Sequence, residues 1–293
     1  MELFLAQLIN GLSIGSIYAL VALGYTMVYG IVKLINFAHG DVIMVGSYVV
    51  FFAVRYLGIP FLPAVFIAMA ACALLGVVMD QIAYKPLRKA TRLSALITAI
   101  GVSLFLQNSF MVFVGSAPRP FPALSVPGHL QIFGGVAVSN LTMLTIAVSV
   151  LMMIGLQIIV KKTLIGKAMR AVSEDAGAAS LMGININATI AITFAIGSAL
   201  AAVGSALYAS TFPVVDPFMG MMLGLKAFVA AVVGGIGIIP GAMLGGFLLG
   251  ITQTMTAAYI SSQMVDAVVF TLLIVVLLFK PAGIMGKYAG EKV

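Results

Sequence analysis

Apolar residues fill this chain in long blocks, separated by short stretches that carry charge, Gly or Pro. The blocks at 4–30, 61–84, 94–115, 140–160 and 188–210 each offer the about 20 apolar residues that a membrane-spanning helix needs. Three basic clusters punctuate them: Lys85, Arg88, Lys89 and Arg92; Lys161, Lys162, Lys167 and Arg170, with Glu174 and Asp175 following; and Lys280, Lys287 and Lys292. Short loops rich in Lys and Arg stay on the cytoplasmic side of a membrane, which predicts that side for all three. Parity agrees. Two blocks separate the first two clusters, so the stretch 116–139, with Pro118, Pro120, Pro122 and Pro127, faces outward. The block 188–210 then crosses outward to Pro213, Asp216 and Pro217. The short runs 221–238, 242–258 and 264–279 supply the odd number of crossings that a cytoplasmic tail requires. The run 41–54 is shorter still. Read as crossing, it places the N-terminus outside; read as re-entrant, inside. Crossing is the reading taken. The pattern predicts an all-α, polytopic integral membrane protein of eight or nine transmembrane helices, forming a single domain over 1–293.

Composition sharpens this picture. Apolar residues make up 62% of the 293 and charged residues only 8%, against roughly 25% charged in a soluble domain. A soluble exterior needs more charge, which excludes a cytosolic enzyme, a secreted disulfide scaffold and a disordered chain. Cys72 is the single cysteine, so no intrachain disulfide can form. The net charge of +7 resides in loops between apolar blocks, the distribution of a membrane protein and not of a nucleic-acid binder. Residues 1–7 contain Glu2 and no Lys or Arg, so the first block reads as a retained span and not a signal peptide. Without tryptophan, interfacial anchoring falls to nine tyrosines and the basic residues.

Two regions break the apolar text. One holds Gly24, Gly30, Asn36, Phe37, His39, Gly40 and Asp41; the other, 234–250, holds seven glycines and Pro240. Interrupted backbone at membrane depth survives where protein or a watery path receives it, and paired interruptions point to a substrate path. Asn36, Phe37, His39, Asp41, Gly234, Gly235, Gly237 and Gly241 are the path residues this predicts. Lys226, inside an apolar run, joins them, with snorkelling to the interface an equal alternative. Asp80 and Asp266, near block ends, read as interfacial. Gly11, Ser13 and Gly15 match the nucleophile elbow G-x-S-x-G, but within a helical block they read as a G-x-x-x-G packing motif. His39 and Asp41 lack the further ligands of a metal site. No phosphate-binding G-x-x-x-x-G-K-[ST] loop occurs.

The segment 161–187 is the clearest functional signal. Ser173 suits an N-cap, with Glu174 and Asp175 in the first helical turn. Leu181, Met182 and Ile184 then form an apolar knob on a polar loop, the composition of a docking surface.

Several passages, in order along nearly the whole chain, resemble the LivH-type permease subunits of branched-chain amino-acid ABC importers. They are residues 20–30, 35–41, 83–88, 173–185, 225–228, 234–237, 240–242 and 280–284. The resemblance implies a bacterial inner-membrane complex that moves leucine, isoleucine and valine. Its partners would be a second, LivM-like permease, two cytoplasmic ATPases and a periplasmic amino-acid-binding protein, with no nucleic acid. ATP and Mg would bind the ATPases, leaving this chain without cofactor or catalytic residue. Glu174, Asp175, Leu181, Met182, Gly183, Ile184 and Asn185 would form the coupling helix, although their spacing departs from the Glu-Ala-Ala loop of other ABC importers. A urea or short-amide importer permease is the related alternative. An ion-coupled secondary transporter is the alternative from another class; against it stands the shortage of buried ionisable residues, essentially Lys226.

Overall fold

The computed structural model describes residues 2–88, 90–122, 124, 126, 128–132 and 136–286. Lys89, Pro127, Lys287 and Lys292 lie outside the described residues. Among the described residues eleven α-helices follow in order: α1 Glu2–Val32, α2 His39–Arg55, α3 Phe61–Met79, α4 Arg92–Phe113, α5 Asn140–Lys162, α6 Leu164–Glu174, α7 Ala176–Leu181, α8 Ile186–Thr211, α9 Met219–Gly234, α10 Ile239–Tyr259 and α11 Val265–Phe279. A π-helical turn, Asp80–Tyr84, and a 3-10 turn, Lys85–Leu87, extend α3. The only strands among the described residues are short. β1 (Arg119–Pro120) pairs antiparallel with β4 (Val214–Val215), and β2 (His129–Ile132) with β3 (Val136–Ser139).

The chain is an all-α polytopic membrane protein. Among the described residues, six helices are long and apolar enough to cross a membrane, or seven if α9 and α10, bent by 120°, count as one span. Eight or nine are not reached on that measure. The shortfall lies in α2, with 17 residues, and in the bent pair.

α1 and α8 form the centre of the bundle. Every residue of α1 from 15 to 28 is buried, as befits a helix apolar on all sides. Small residues set the close approach of α1 to α10: a Cβ on Gly11 would lie 2.8 Å from the Ile251 Cα, and one on Gly15 2.8 Å from the Phe247 Cα. Gly11 and Gly15 are therefore packing residues.

The loops sort to two ends. α5, with 23 residues, is roughly 35 Å long, so its termini mark opposite faces. At its C-terminal end, Val160 and, on α6, Met169 and Arg170 meet Thr26, Met27, Gly30 and Ile31 of α1. Arg88 joins that end by donating to Asn187 at the start of α8. The tail does so through Ile284 and Met285, whose N–H groups donate to the Val233 and Gly234 carbonyls at 2.9 and 3.1 Å. At the opposite end β1 pairs with β4, beside Arg55 and Tyr56. The described residues of the basic clusters thus share one end, and those of the Pro-rich loop occupy the other.

Candidate translocation path and coupling segment

After α1 the chain turns back on itself through Lys33, whose φ is +56°, so that α2 starts inside the bundle. Asn36, His39 and Asp41 are all buried. The depth is fixed by Gly24 and Gly197: a Cβ on Gly197 would lie 3.3 Å from the Gly24 Cα, near the middle of α8, and His39 Cε1 sits 2.5 Å from where a Gly24 Cβ would be. The His39 ring meets the edge of Tyr25 at 4.7 Å between centroids, and its Nε2 has no hydrogen-bond partner among the described residues. α9 starts beside α2. A Cβ on Gly40 would come within 2.6 Å of the Gly220 carbonyl oxygen, and one on Gly224 within 2.6 Å of the Gly40 Cα. Two short helices therefore begin side by side within the membrane-embedded bundle.

A cavity of about 390 Å³ opens beside this junction. Its walls are Tyr25 and Phe37, Asp41 of α2, Leu96, Ile100, Ser103, Leu104 and Gln107 of α4, and Met221 and Leu225 of α9. Asp41 Oδ1 accepts a 2.8 Å hydrogen bond from Gln107 Nε2, which lies 3.2 Å from Ser103 Oγ.

Of the residues expected along a path, Phe37 and Asp41 line this cavity. Asn36 lies just behind, accepting a 2.6 Å hydrogen bond from the Tyr84 hydroxyl. Lys226 does not face it: its Nζ pairs with Asp266 Oδ1 of α11 at 2.8 Å. Gly234, Gly235, Gly237 and Gly241 do not reach it either. They form the α9–α10 turn at the basic end, where Gly237 borders a separate cavity of about 90 Å³ with Gly30, Met169 and Ser173. The two broken regions thus meet at Gly30 and Gly237, outside the larger cavity. The contribution of α4 was not foreseen, although Ser103 and Gln107, four apart in an apolar block, fall on one helix face. Buried acids are also more numerous than the sequence suggested, since Asp41 and Asp80 both have almost no exposed surface.

The coupling segment departs from its expected local form. Thr163 caps α6, accepting from the Gly166 N–H at 3.1 Å. Ser173 stays within α6 and donates its hydroxyl to the Arg170 carbonyl at 2.8 Å. Glu174 ends α6, and the cap of α7 is Asp175, which accepts from the Ala178 N–H at 3.0 Å. Ser and Asp cap about equally well; the helical continuation through Ser173 decides between them, because a cap needs non-helical backbone and Asp175 has it, with φ −151° and ψ 106°. α7 closes in a Schellman turn. Gly183, at φ +82°, donates to Ser180 O and Ile184 to Ala179 O, both at 3.0 Å. Leu181 and Met182 are 89% and 82% exposed, whereas Ile184 is half-buried, so the knob has two projecting residues and not three. Asn185 caps α8.

Behind this segment lies a charged tie. Arg88 Nη2 contacts Asp80 Oδ1 and Oδ2 at 2.6 and 2.8 Å, while its Nη1 donates to Asn187. Asp80 is fully buried within the protein. The π-helical turn that begins at Asp80 ends at Tyr84, whose ring lies 5.3 Å from Phe194 and whose hydroxyl holds Asn36.

Residues 7–278 match the family described as "Branched-chain amino acid transport system / permease component". The chain is 46% identical, over 99% of its length and 98% of the relative's, to the high-affinity branched-chain amino acid transport system permease protein BraD of Pseudomonas aeruginosa. Identity is 45% with the corresponding protein LivH of Escherichia coli K12, at the same coverage of both chains. It is 30% with the probable branched-chain amino acid transport permease protein LivH of Methanocaldococcus jannaschii, over 92% of this chain and 89% of that one. The solved structure of PsaBC from Streptococcus pneumoniae in complex with Fab aligns at TM-score 0.48 and 12% identity, covering 93% of this chain and 90% of its own.

Proposed function

The chain belongs to the family of permease components of branched-chain amino acid transport systems, and we propose that it forms half of the translocation path of an ABC importer for leucine, isoleucine and valine. A second, LivM-like permease completes the path, two cytoplasmic ATPases drive it, and a periplasmic binding protein delivers substrate. ATP and Mg bind the ATPases. The membrane is the bacterial inner membrane, with the basic clusters cytoplasmic and the N-terminus periplasmic.

The observation that supports this reading best is α7. A short helix, capped at both ends, presents Leu181 and Met182 to solvent at the end of the bundle that carries the basic clusters. Exposed apolar anchors on a rigid helix suit a cleft in a partner protein. On this reading Leu181 and Met182 enter the ATPase, Glu174 and Asp175 sit at the rim, and Gly183, Ile184 and Asn185 hold the helix at its angle to α8. Closure of the ATPases moves α7, and the start of α8 transmits the movement through Asn187, Arg88 and Asp80 to the π-helical turn. From there the Tyr84–Asn36 bond reaches the segment that precedes α2 and the cavity. Access then alternates as the two permeases rearrange.

The test is co-purification of the complex in mild detergent from cells expressing a tagged chain. Two ATPase subunits and a second permease are expected. A chain that purifies alone and transports without ATP would establish a secondary transporter in its place, and uptake of urea in preference to leucine would move it to the amide-importer branch.

A further inference from the structure

The cavity beside the α2–α9 junction joins two features that ordinary packing does not explain together. The first is Asp41, a carboxylate with 1% exposure at mid-depth in the bundle. Its side-chain partners are neutral, the Gln107 amide and the Ser103 hydroxyl. The ion pairs among the described residues, Arg88–Asp80 and Lys226–Asp266, leave it out. Ionisable groups inside a membrane protein are costly and mark ligand or ion routes unless a partner answers them. The second feature is the wall opposite, which is aliphatic: Ile100, Leu104, Met221 and Leu225. The volume, about 390 Å³, falls within the roughly 300–1,000 Å³ of small-molecule pockets. A lipid chain would satisfy the aliphatic wall and leave the carboxylate unanswered. A metal cation would satisfy the carboxylate and leave the wall without purpose.

We propose that this cavity is a transient substrate subsite, in which the Asp41 carboxylate receives the α-ammonium of an amino acid whose branched aliphatic side chain lies against Ile100, Leu104 and Leu225. The proposal rests on the permease reading above and deepens it. The membrane path itself, and not the delivering protein alone, then discriminates for amino acids. Gln107 is a positioning residue: its amide holds Asp41 Oδ1 at the cavity wall. A ligand with the same side chain but no amine should gain nothing from Asp41.

The experiment uses the purified complex in lipid vesicles and two photoreactive probes: a diazirine analogue of leucine, and its counterpart lacking the amine. With the amino-acid probe, cross-links are expected in α4 near Ile100 and Leu104 or in α9 near Leu225. Excess leucine should suppress them and excess 4-methylpentanoate should not. Asp41→Asn should lower labelling by the amino-acid probe about tenfold, the scale of one lost charge-assisted contact, and leave labelling by the amine-free probe unchanged. Should Asp41→Asn prevent assembly, Leu104→Trp serves in its place. It lies on an exposed part of α4 and narrows the cavity, so it should reduce labelling by the amino-acid probe. Equal labelling by both probes, or labelling insensitive to both substitutions, would overturn the proposal. ATP-dependent leucine uptake is measured in the same vesicles. Uptake with no cross-link at these walls would refute the subsite while leaving the permease reading intact; absence of uptake and cross-link together would refute both.

Discussion

The Asp80 carboxylate has no exposed surface, and the Arg88 guanidinium supplies its counter-charge. Removing one partner of a buried pair costs about 3–5 kcal/mol, because the other charge is left unanswered. Arg88→Gln should therefore lower the thermal stability of the complex sharply, and adding Asp80→Asn should recover much of the loss. Thermal scans by fluorescence-detected gel filtration would read both; an unchanged melting temperature in Arg88→Gln would show that the tie carries no weight. The Lys226–Asp266 pair differs. The Asp266 side chain is 47% exposed, and exposed pairs contribute about 1 kcal/mol or less. Lys226→Met should be mild in the same assay and should not abolish uptake, since the side chain faces α11. Residue roles of this kind were only half legible in the sequence. The position of Lys226 within an apolar run suggested a path residue or a snorkel, but Asp266 lies on another helix, and only tertiary structure brings the two together. The cap of α7 failed for a local reason: Ser173 and Asp175 are both good capping residues, and what separates them is how far α6 continues.

Elements read well where the apolar blocks are long and poorly where they are short. α1, α3, α4, α5 and α8 follow directly from uninterrupted blocks. α2 and α9 are short because each begins inside the bundle, a fact that glycine content hinted at but that depends on the Gly40–Gly220 contact, 180 residues apart in sequence. Substituting Gly220 with Leu should drive α2 and α9 apart and abolish leucine uptake, with the complex still recovered from detergent; full uptake would mean that this approach is not needed for transport. The turn between α9 and α10 asks for glycine for a different reason. Gly235 has φ +113° and its backbone packs against the tail, so Gly235→Ala is strained whatever the space. Its expected effect is on stability of the α9–α10–tail unit, read as protease sensitivity near residue 235. For α7, Leu181→Asp places a charge where the ATPase contact is expected. Central apolar anchors carry about 2 kcal/mol or more, so ATPase recovery should fall by more than tenfold. Glu174→Ala, at the rim, should change recovery little.

At the scale of the whole molecule, loop charge and parity predicted a common end for the basic clusters, because both are properties of the linear sequence. The cavity was not legible in the same way. Its wall from α4 meets α2 through Gln107 and Asp41, a long-range contact with no linear signature beyond two polar residues on one helix face. The orientation proposed here is open to cysteine labelling in a Cys72→Ala background, a change suited to a small buried side chain. An impermeant maleimide should label residue 120 in intact cells and leave residue 162 untouched. The most direct test of the account is leucine uptake by the purified complex in proteoliposomes supplied with the binding protein. Accumulation should require ATP and be lost in Leu181→Asp, while that variant chain still pairs with the second permease. Uptake that proceeds without ATP, or that survives Leu181→Asp undiminished, would contradict it.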